Sequence, residues 1–82
     1  MKIIIVDDDH LVVQSLKTIV NASYIEVLDT GHDGLEAIEL YKKHNPDLIL
    51  MDIRMEKLNG IDATKEILQL DSEAKILLIT TF

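Results

Sequence analysis

The sequence predicts an α/β fold in which a parallel sheet carries helices on both of its faces. Short runs of apolar residues alternate along the chain with longer segments whose apolar residues recur at helical spacing. The resulting order is β-α-β-α-β-α-β, and helices of this length connect strands by right-handed crossovers into a doubly wound sheet. Three runs end in polar side chains, at Asp7-Asp8, Asp52 and Thr80. Because the carboxyl ends of parallel strands share one edge, we expect the functional residues there.

Four segments have the composition of strands. Lys2–Val6 is rich in β-branched residues and ends in aspartates, while Asp47–Met51 and Lys75–Ile79 are apolar almost throughout. Tyr24–Thr30 differs, because polar and apolar residues alternate at its start, which is typical of a strand with one partly exposed face. We therefore predict that the first, third and fourth strands are interior and that the second lies at an edge.

Three segments have the periodicity of helices, and they are His10–Asn21, Leu35–Asn45 and Ile61–Leu70. One of the aspartates before the first helix, and Asp33 before the second, are expected to cap free N–H groups, and Pro46 ends the second helix. The residues predicted to line the apolar faces are Val12, Leu16, Ile19 and Val20 in the first helix, Leu35, Ile38 and Tyr41 or Lys42 in the second, and Ile61, Ile67 and Leu68 in the third.

Length and charge restrict the classes of function. The 82 residues suffice for one small domain, and the net charge of −7 disfavours binding of this segment to a nucleic-acid backbone. The first apolar run is too short for a signal peptide or a membrane span, and the absence of cysteine is compatible with a reducing cytosol. The sequence therefore predicts a cytoplasmic domain that binds neither membrane nor nucleic acid by itself.

The strand ends predict a metal site. If the first and third strands are neighbours, about 4.8 Å apart, their terminal carboxylates on Asp7, Asp8 and Asp52 lie within reach of one cation. Carboxylates held so close raise one another's pKa unless a metal neutralises them, and an all-oxygen ligand set favours Mg²⁺. The histidines, at positions 10, 32 and 44, show no convergence in the sequence, so we expect exposed loop or helix residues.

Together these motifs resemble the receiver domain of two-component response regulators. The motifs that carry the resemblance are Val6-Asp7-Asp8, Met51-Asp52-Ile53-Arg54-Met55, Asn59-Gly60 and Leu78-Ile79-Thr80. Asp9-His10 and Thr80-Thr81-Phe82 are similar to the NarL/LuxR branch, whose members usually carry a C-terminal helix-turn-helix DNA-binding domain. The resemblance implies a flavodoxin-like, CheY-like sheet and a phosphorelay signalling function rather than an enzyme.

The resemblance also implies a role for each site residue. Asp52 would accept a phosphoryl group from a sensor histidine kinase. Asp8 would ligate Mg²⁺ directly, Asp7 mainly through water, and the backbone carbonyl of Arg54 would be a further ligand. The Thr80 hydroxyl would bond a phosphoryl oxygen and act as the switch residue.

The chain departs from the family pattern in two places. Glu56 stands where the family usually has proline, which adds a negative charge and frees the backbone of the loop. The family pattern also continues beyond Phe82 with a helix, a strand bearing a lysine and a last helix, so residues 1–82 correspond to a partial receiver domain. In such a fragment the fourth strand would be an exposed apolar edge, which predicts a homodimer or a domain-swapped oligomer.

Two alternatives remain open from the sequence. The chain could be an interaction or dimerisation fragment that is not phosphorylated. In that case the aspartates serve only as helix caps or no longer have a function. The cluster Asp7-Asp8-Asp9 also mimics the Asp-x-Asp motif of haloacid-dehalogenase-type phosphatases. That second alternative is weaker, because Leu11 stands where the phosphatase motif has threonine or valine and the chain is short for that fold.

Overall fold

The computed structural model describes residues 1–80 and confirms the predicted order of elements. The elements are β1 (Lys2–Val6), α1 (His10–Asn21), β2 (Glu26–Gly31), α2 (Gly34–His44), β3 (Leu48–Asp52), α3 (Gly60–Leu70) and β4 (Ile76–Ile79). Their bounds differ from the predicted ones by two residues at most. Thr81 and Phe82, which contributed to the sequence resemblance, lie outside the described residues.

The four strands form one parallel sheet in the order β2-β1-β3-β4. β1 and β3 are central neighbours, as the metal-site prediction required, and β2 lies at an edge as predicted. The prediction of an interior position for β4 is wrong, because β4 is the other edge of the sheet over the described residues. Its pattern is apolar, yet Leu77 is 54% exposed. Over the described residues β4 therefore has one unpaired edge and a partly exposed apolar side chain.

Helices cover the two faces of the sheet unequally. α2 and α3 pack together on one face, over a core that includes Ile4, Ile49 and Met51, each at most 1% exposed. α1 packs on the other face, over Ile3 and Ile5. Burial of this apolar surface, at about 25 cal/mol per Å², is the main term that stabilises the fold.

The helix faces that meet the sheet agree with the predicted ones only in part. In α1 the buried residue is Val13, and Ile19 is 66% exposed. In α2 and α3 the fully buried positions include Ala37 and Ala63, which the hydrophobic stripe did not select. Large residues assigned to the buried stripes are instead substantially exposed, as Leu35, Ile61 and Leu68 show. Ile38, Tyr41 and Ile67 are buried as predicted, so the predicted faces are right in part, and the small residues beside them complete the contact with the sheet.

Side-chain caps fix where each helix begins. The Asp9 carboxylate accepts a hydrogen bond from the Leu11 N–H at 2.9 Å, and the Asp33 carboxylate accepts one from the Glu36 N–H at 2.9 Å. Both caps were predicted, and Asn59 caps α3 in the same way. Such caps each stabilise a helix by about 0.5–2 kcal/mol. Within residues 1–80, none of the helices combines the length and the apolar character needed to span a membrane.

Candidate functional site

Three carboxylates meet at the carboxyl edge of the sheet. Asp7 follows β1, Asp8 is next in the chain, and Asp52 is the last residue of β3. One carboxylate oxygen from each lies within 4.8 Å of the other two. Asp7 and Asp52 are buried, at 2% and 3% exposure, whereas Asp8 is exposed. The structure thus brings together the three aspartates that the sequence selected.

Asp7 lacks a hydrogen-bond partner, within the described part of the chain, for one of its two carboxylate oxygens. Its Oδ1 accepts a hydrogen bond from the Asp9 N–H at 2.9 Å, but its buried Oδ2 has no partner among the described residues. Desolvation raises the pKa of Asp7, and repulsion from Asp52, Asp8 and Asp9 adds to the rise, while the Asp9 N–H opposes it. A bound cation would provide the partner that this buried carboxylate oxygen lacks among residues 1–80.

The donor set of the cluster fits Mg²⁺. It consists of oxygen atoms only, two residues are held rigidly by strand ends, and the exposed Asp8 leaves room for water ligands. Asp7, Asp8 and Asp52 are therefore the residues that could hold such an ion.

The loop from Asp52 to α3 is held by close backbone contacts. The Gly60 N–H donates to the Ile53 carbonyl at 2.9 Å, and a Cβ on Gly60 would lie 2.3 Å from the Asp52 carbonyl oxygen. Lys57 adopts φ 67°, in the left-handed region, and the Leu58 N–H closes a tight turn onto the Glu56 carbonyl at 2.8 Å. The sequence indicated a chain break at Gly60 but gave no sign that this residue abuts the candidate phosphoacceptor.

The same loop rests on the start of α2. The Gly34 N–H donates to the Leu58 carbonyl at 2.9 Å, and the Lys57 ammonium lies 3.8 Å from the Asp33 cap. A Cβ on Gly34 would lie 2.2 Å from the Leu58 carbonyl oxygen, so only glycine allows this approach. Lys57 and Gly34 help to position the site, and the sequence did not identify either of them in that role. Neither has a sequence signal beyond the Asp33-Gly34 pair.

Two further predicted site residues lie beside the cluster without contacting it directly through their side chains. The Arg54 N–H donates to Asp52 Oδ1 over a long 3.4 Å, and the Arg54 side chain is exposed. Thr80 is exposed and follows the last residue of β4, and the carbonyl of Ile79 accepts from the Ile53 N–H at 3.1 Å. That bond places the backbone preceding Thr80 beside the residue after Asp52.

His10 and His32 are exposed, as expected, but the sequence did not predict that their rings are in contact. The rings of His10 and His32 lie 4.8 Å apart between centroids, at an interplanar angle of 62°. The third, His44, lies elsewhere and pairs with Asp29 at 3.1 Å. The contact depends on the conformations of two loops, which no periodic sequence pattern encodes.

Neutralising Asp7 is expected to stabilise the metal-free fold and to weaken Mg²⁺ binding. Because the folded-state pKa of Asp7 is raised, its protonated form contributes stability below the unfolded pKa, and that contribution is lost as pH rises through the folded pKa. Asp7→Asn should therefore unfold at a higher temperature than the wild type at pH 7, and the difference should shrink towards pH 4.

Mg²⁺ titration of the same variant should show affinity weaker by about 10–100-fold, as for loss of a group that orients metal ligands. Glu66→Gln, on exposed α3 surface, is the control for the loss of one negative charge. A variant less stable than the wild type at pH 7 would contradict the assignment of Asp7 as an uncompensated buried charge.

Comparison with known proteins agrees with the motifs and the fold. Residues 3–82 match the family described as the response regulator receiver domain. The chain is 41% identical, over 81 residues, to the transcriptional regulatory protein DegU of Brevibacillus brevis, and the match covers 98% of the chain and 34% of DegU.

Two solved structures share the architecture. CheY of Borrelia burgdorferi, in its complex with CheX, BeF₃ and Mg²⁺, superposes with a TM-score of 0.95 at 33% identity, over 100% of this chain and 63% of that one. The receiver domain of the putative response regulator NarL of Mycobacterium tuberculosis has a TM-score of 0.93 at 27% identity, over 99% of this chain and 66% of that one. The chain thus spans about a third of DegU and about two thirds of the two structures.

Proposed function

The chain belongs to the response regulator receiver domain family, whose members act in phosphorelay signalling, and on that premise we propose that Asp52 accepts a phosphoryl group from a sensor histidine kinase in a Mg²⁺-dependent reaction. The observation that carries this proposal is the convergence of Asp7, Asp8 and Asp52 around the unpartnered Oδ2 of Asp7. Residues 1–82 are in this proposal a partial receiver domain.

The reaction follows from the chemistry of a carboxylate. An oxygen of Asp52 attacks the phosphorus of a phosphohistidine, the phosphorus–nitrogen bond breaks, and the imidazole leaves with its electron pair and takes up a proton. A bound Mg²⁺ would supply positive charge for the equatorial phosphoryl oxygens. Asp7 and Asp8 would hold that ion, with the Arg54 carbonyl as a further ligand. The Arg54 N–H, which donates to Asp52 Oδ1 at 3.4 Å, would help to orient that carboxylate.

Thr80 is proposed as the residue that senses the modification. A phosphoryl group on Asp52 adds charge and acceptor oxygens at the carboxyl edge of the sheet. The Thr80 hydroxyl, at the end of the neighbouring strand β4, can donate to one of those oxygens and bias the segment that follows.

The parent protein is proposed to be a cytoplasmic transcriptional regulator that binds DNA through another domain. The similarity to DegU, a transcriptional regulatory protein, supports this proposal. The Asp9 carboxylate caps α1, and this structural role weighs against the phosphatase alternative.

Incubation with a small phosphodonor such as acetyl phosphate tests the proposal. With Mg²⁺ present, intact-mass spectrometry should show one added phosphoryl group per chain, and a chelator should prevent its addition. Mg²⁺-independent addition, or no addition after prolonged incubation, would count against the proposal and favour the interaction-fragment alternative.

We expect the charge of Glu56 to slow phosphorylation. Glu56 lies exposed in the loop that follows Asp52, and a nearby surface charge is worth about 0.2–1 kcal/mol, which corresponds to a rate change of up to about fivefold. Glu56→Pro should therefore react faster with acetyl phosphate than the wild type. Glu56→Gln separates the effect of charge from that of backbone stiffness. A slower or unchanged rate in both variants would contradict the role of charge.

The apolar edge at β4 is proposed to pair with a second copy of the chain. Leu77 is 54% exposed, and a strand edge presents unpaired backbone groups to another strand. Sedimentation at micromolar concentration should show a dimer or higher oligomer, and Leu77→Lys should shift it towards monomer. Leu68→Lys, at a 41% exposed leucine on α3, is the matched control. A wild-type chain that sediments as a monomer would rule this interface out.

A further inference from the structure

We propose that His10 and His32 form a second cation site, separate from the carboxylate cluster, that takes a borderline divalent ion such as Zn²⁺. His10 is the first residue of α1, and His32 lies in the loop between β2 and α2. Both residues are exposed, so an ion can reach them from solvent. The site does not depend on phosphorylation of Asp52.

The distance between the rings fits shared coordination. Two imidazole nitrogens that bind one ion at about 2.0–2.1 Å lie about 3 Å apart, so their rings must approach closely and at an angle. The rings of His10 and His32 are 4.8 Å apart between centroids and inclined by 62°. An ion shared by both rings would require one nitrogen of each to turn towards it, and water would complete the coordination at this exposed site.

Glu36 contacts the His32 ring in the way that a carboxylate often contacts the second ring nitrogen of a metal-binding histidine. Glu36 Oε1 lies 3.2 Å from His32 Nδ1 and also accepts the backbone N–H of His32 at 2.8 Å. Donation from Nδ1–H to this carboxylate corresponds to the neutral tautomer whose Nε2 is free to bind an ion. This second contact distinguishes the pair from two histidines that merely touch.

Ligand chemistry separates this site from the carboxylate cluster. Imidazole prefers Zn²⁺, Cu²⁺ and Ni²⁺, whereas the all-oxygen cluster prefers Mg²⁺. The net charge of −7 favours the approach of cations to the exposed His10 and His32. Binding would join the loop after β1 to the loop after β2.

Calorimetric titration of the untagged chain with Zn²⁺, in excess Mg²⁺ that occupies the carboxylates, tests the site. We expect one ion per chain in the wild type, and affinity weaker by about tenfold or more in both His10→Gln and His32→Gln. Glu36→Gln, which changes a positioning residue, should weaken binding by about tenfold. His44→Gln is the matched control, since His44 pairs with Asp29 away from the site and should bind as the wild type does.

A spectroscopic measurement on the unmodified chain keeps the test independent of how the variants fold. Electron paramagnetic resonance of the Cu²⁺ complex should show coupling to two imidazole nitrogens. Absence of Zn²⁺ binding, coupling to fewer than two nitrogens, equal loss in His44→Gln, or loss in only one of the two histidine variants would overturn the site. Each of those results would leave His10 and His32 as a simple edge-to-face contact.

Discussion

Asp52→Asn is expected to abolish phosphorylation of the chain while leaving the fold intact. The amide is nearly isosteric with the carboxylate, so β3 and its register are preserved, but its oxygen is a poor nucleophile towards phosphorus. Incorporation from acetyl phosphate, followed by intact mass, should fall by at least about 100-fold, to the level of the chelated wild type. The substitution also removes one charge from a cluster whose members repel, so stability without metal should not decrease.

Asp47→Asn is the matched control for this result. Asp47 precedes β3 at its opposite end, where its carboxylate accepts the Lys2 N–H at 2.7 Å, an interaction that asparagine can keep. It should be phosphorylated as fast as the wild type. Retention of the added phosphoryl group in Asp52→Asn would show that another residue accepts it, and the site assignment would then fail.

The carboxylate cluster could be predicted because the sequence pattern indicates where strands end. Apolar runs show where β1 and β3 end, and parallel pairing brings Asp7 and Asp52 to one edge once those strands are neighbours. The position of β4 within the sheet could not be predicted in the same way. Hydrophobicity reports burial of the faces of a strand, and it does not reveal how many strands pair with its edges, so β4 was assigned wrongly to the interior.

Contacts between elements that pack closely could not be predicted, for a different reason. The buried helix faces include Ala37 and Ala63 besides large residues, because close approach to the sheet leaves room for small side chains that a search for apolar bulk does not select. The pairing of β2 with β1 skips Leu28, and this irregularity shifts the register between Val27 and Asp29. Bulges of this kind insert one residue without any periodic signal. The contact between His10 and His32 belongs to the same class, since it arises from loop geometry.

Gly60→Ala is expected to destabilise the fold and to disturb the candidate phosphoacceptor together. Its Cβ would lie 2.3 Å from the Asp52 carbonyl oxygen and 3.0 Å from the Ile53 Cα, and backbone atoms cannot move aside as a side chain can. The loop or the end of β3 must shift, at a cost of about 1–3 kcal/mol. Urea unfolding should show a loss of stability in this range, and phosphorylation of Asp52 should slow because the carboxylate is displaced.

Gly31→Ala provides the control, since Gly31 is also a buried glycine but meets mainly side chains. Its Cβ would lie 3.0 Å from Leu40 Cδ1, the far end of a flexible side chain, and 3.3 Å from the Glu36 Cβ. The free energy of unfolding should therefore fall less than in Gly60→Ala, and the phosphorylation rate should stay close to that of the wild type. If the two variants lost equal stability, or if Gly60→Ala were phosphorylated at the wild-type rate, the close approach of Gly60 could not be what positions Asp52.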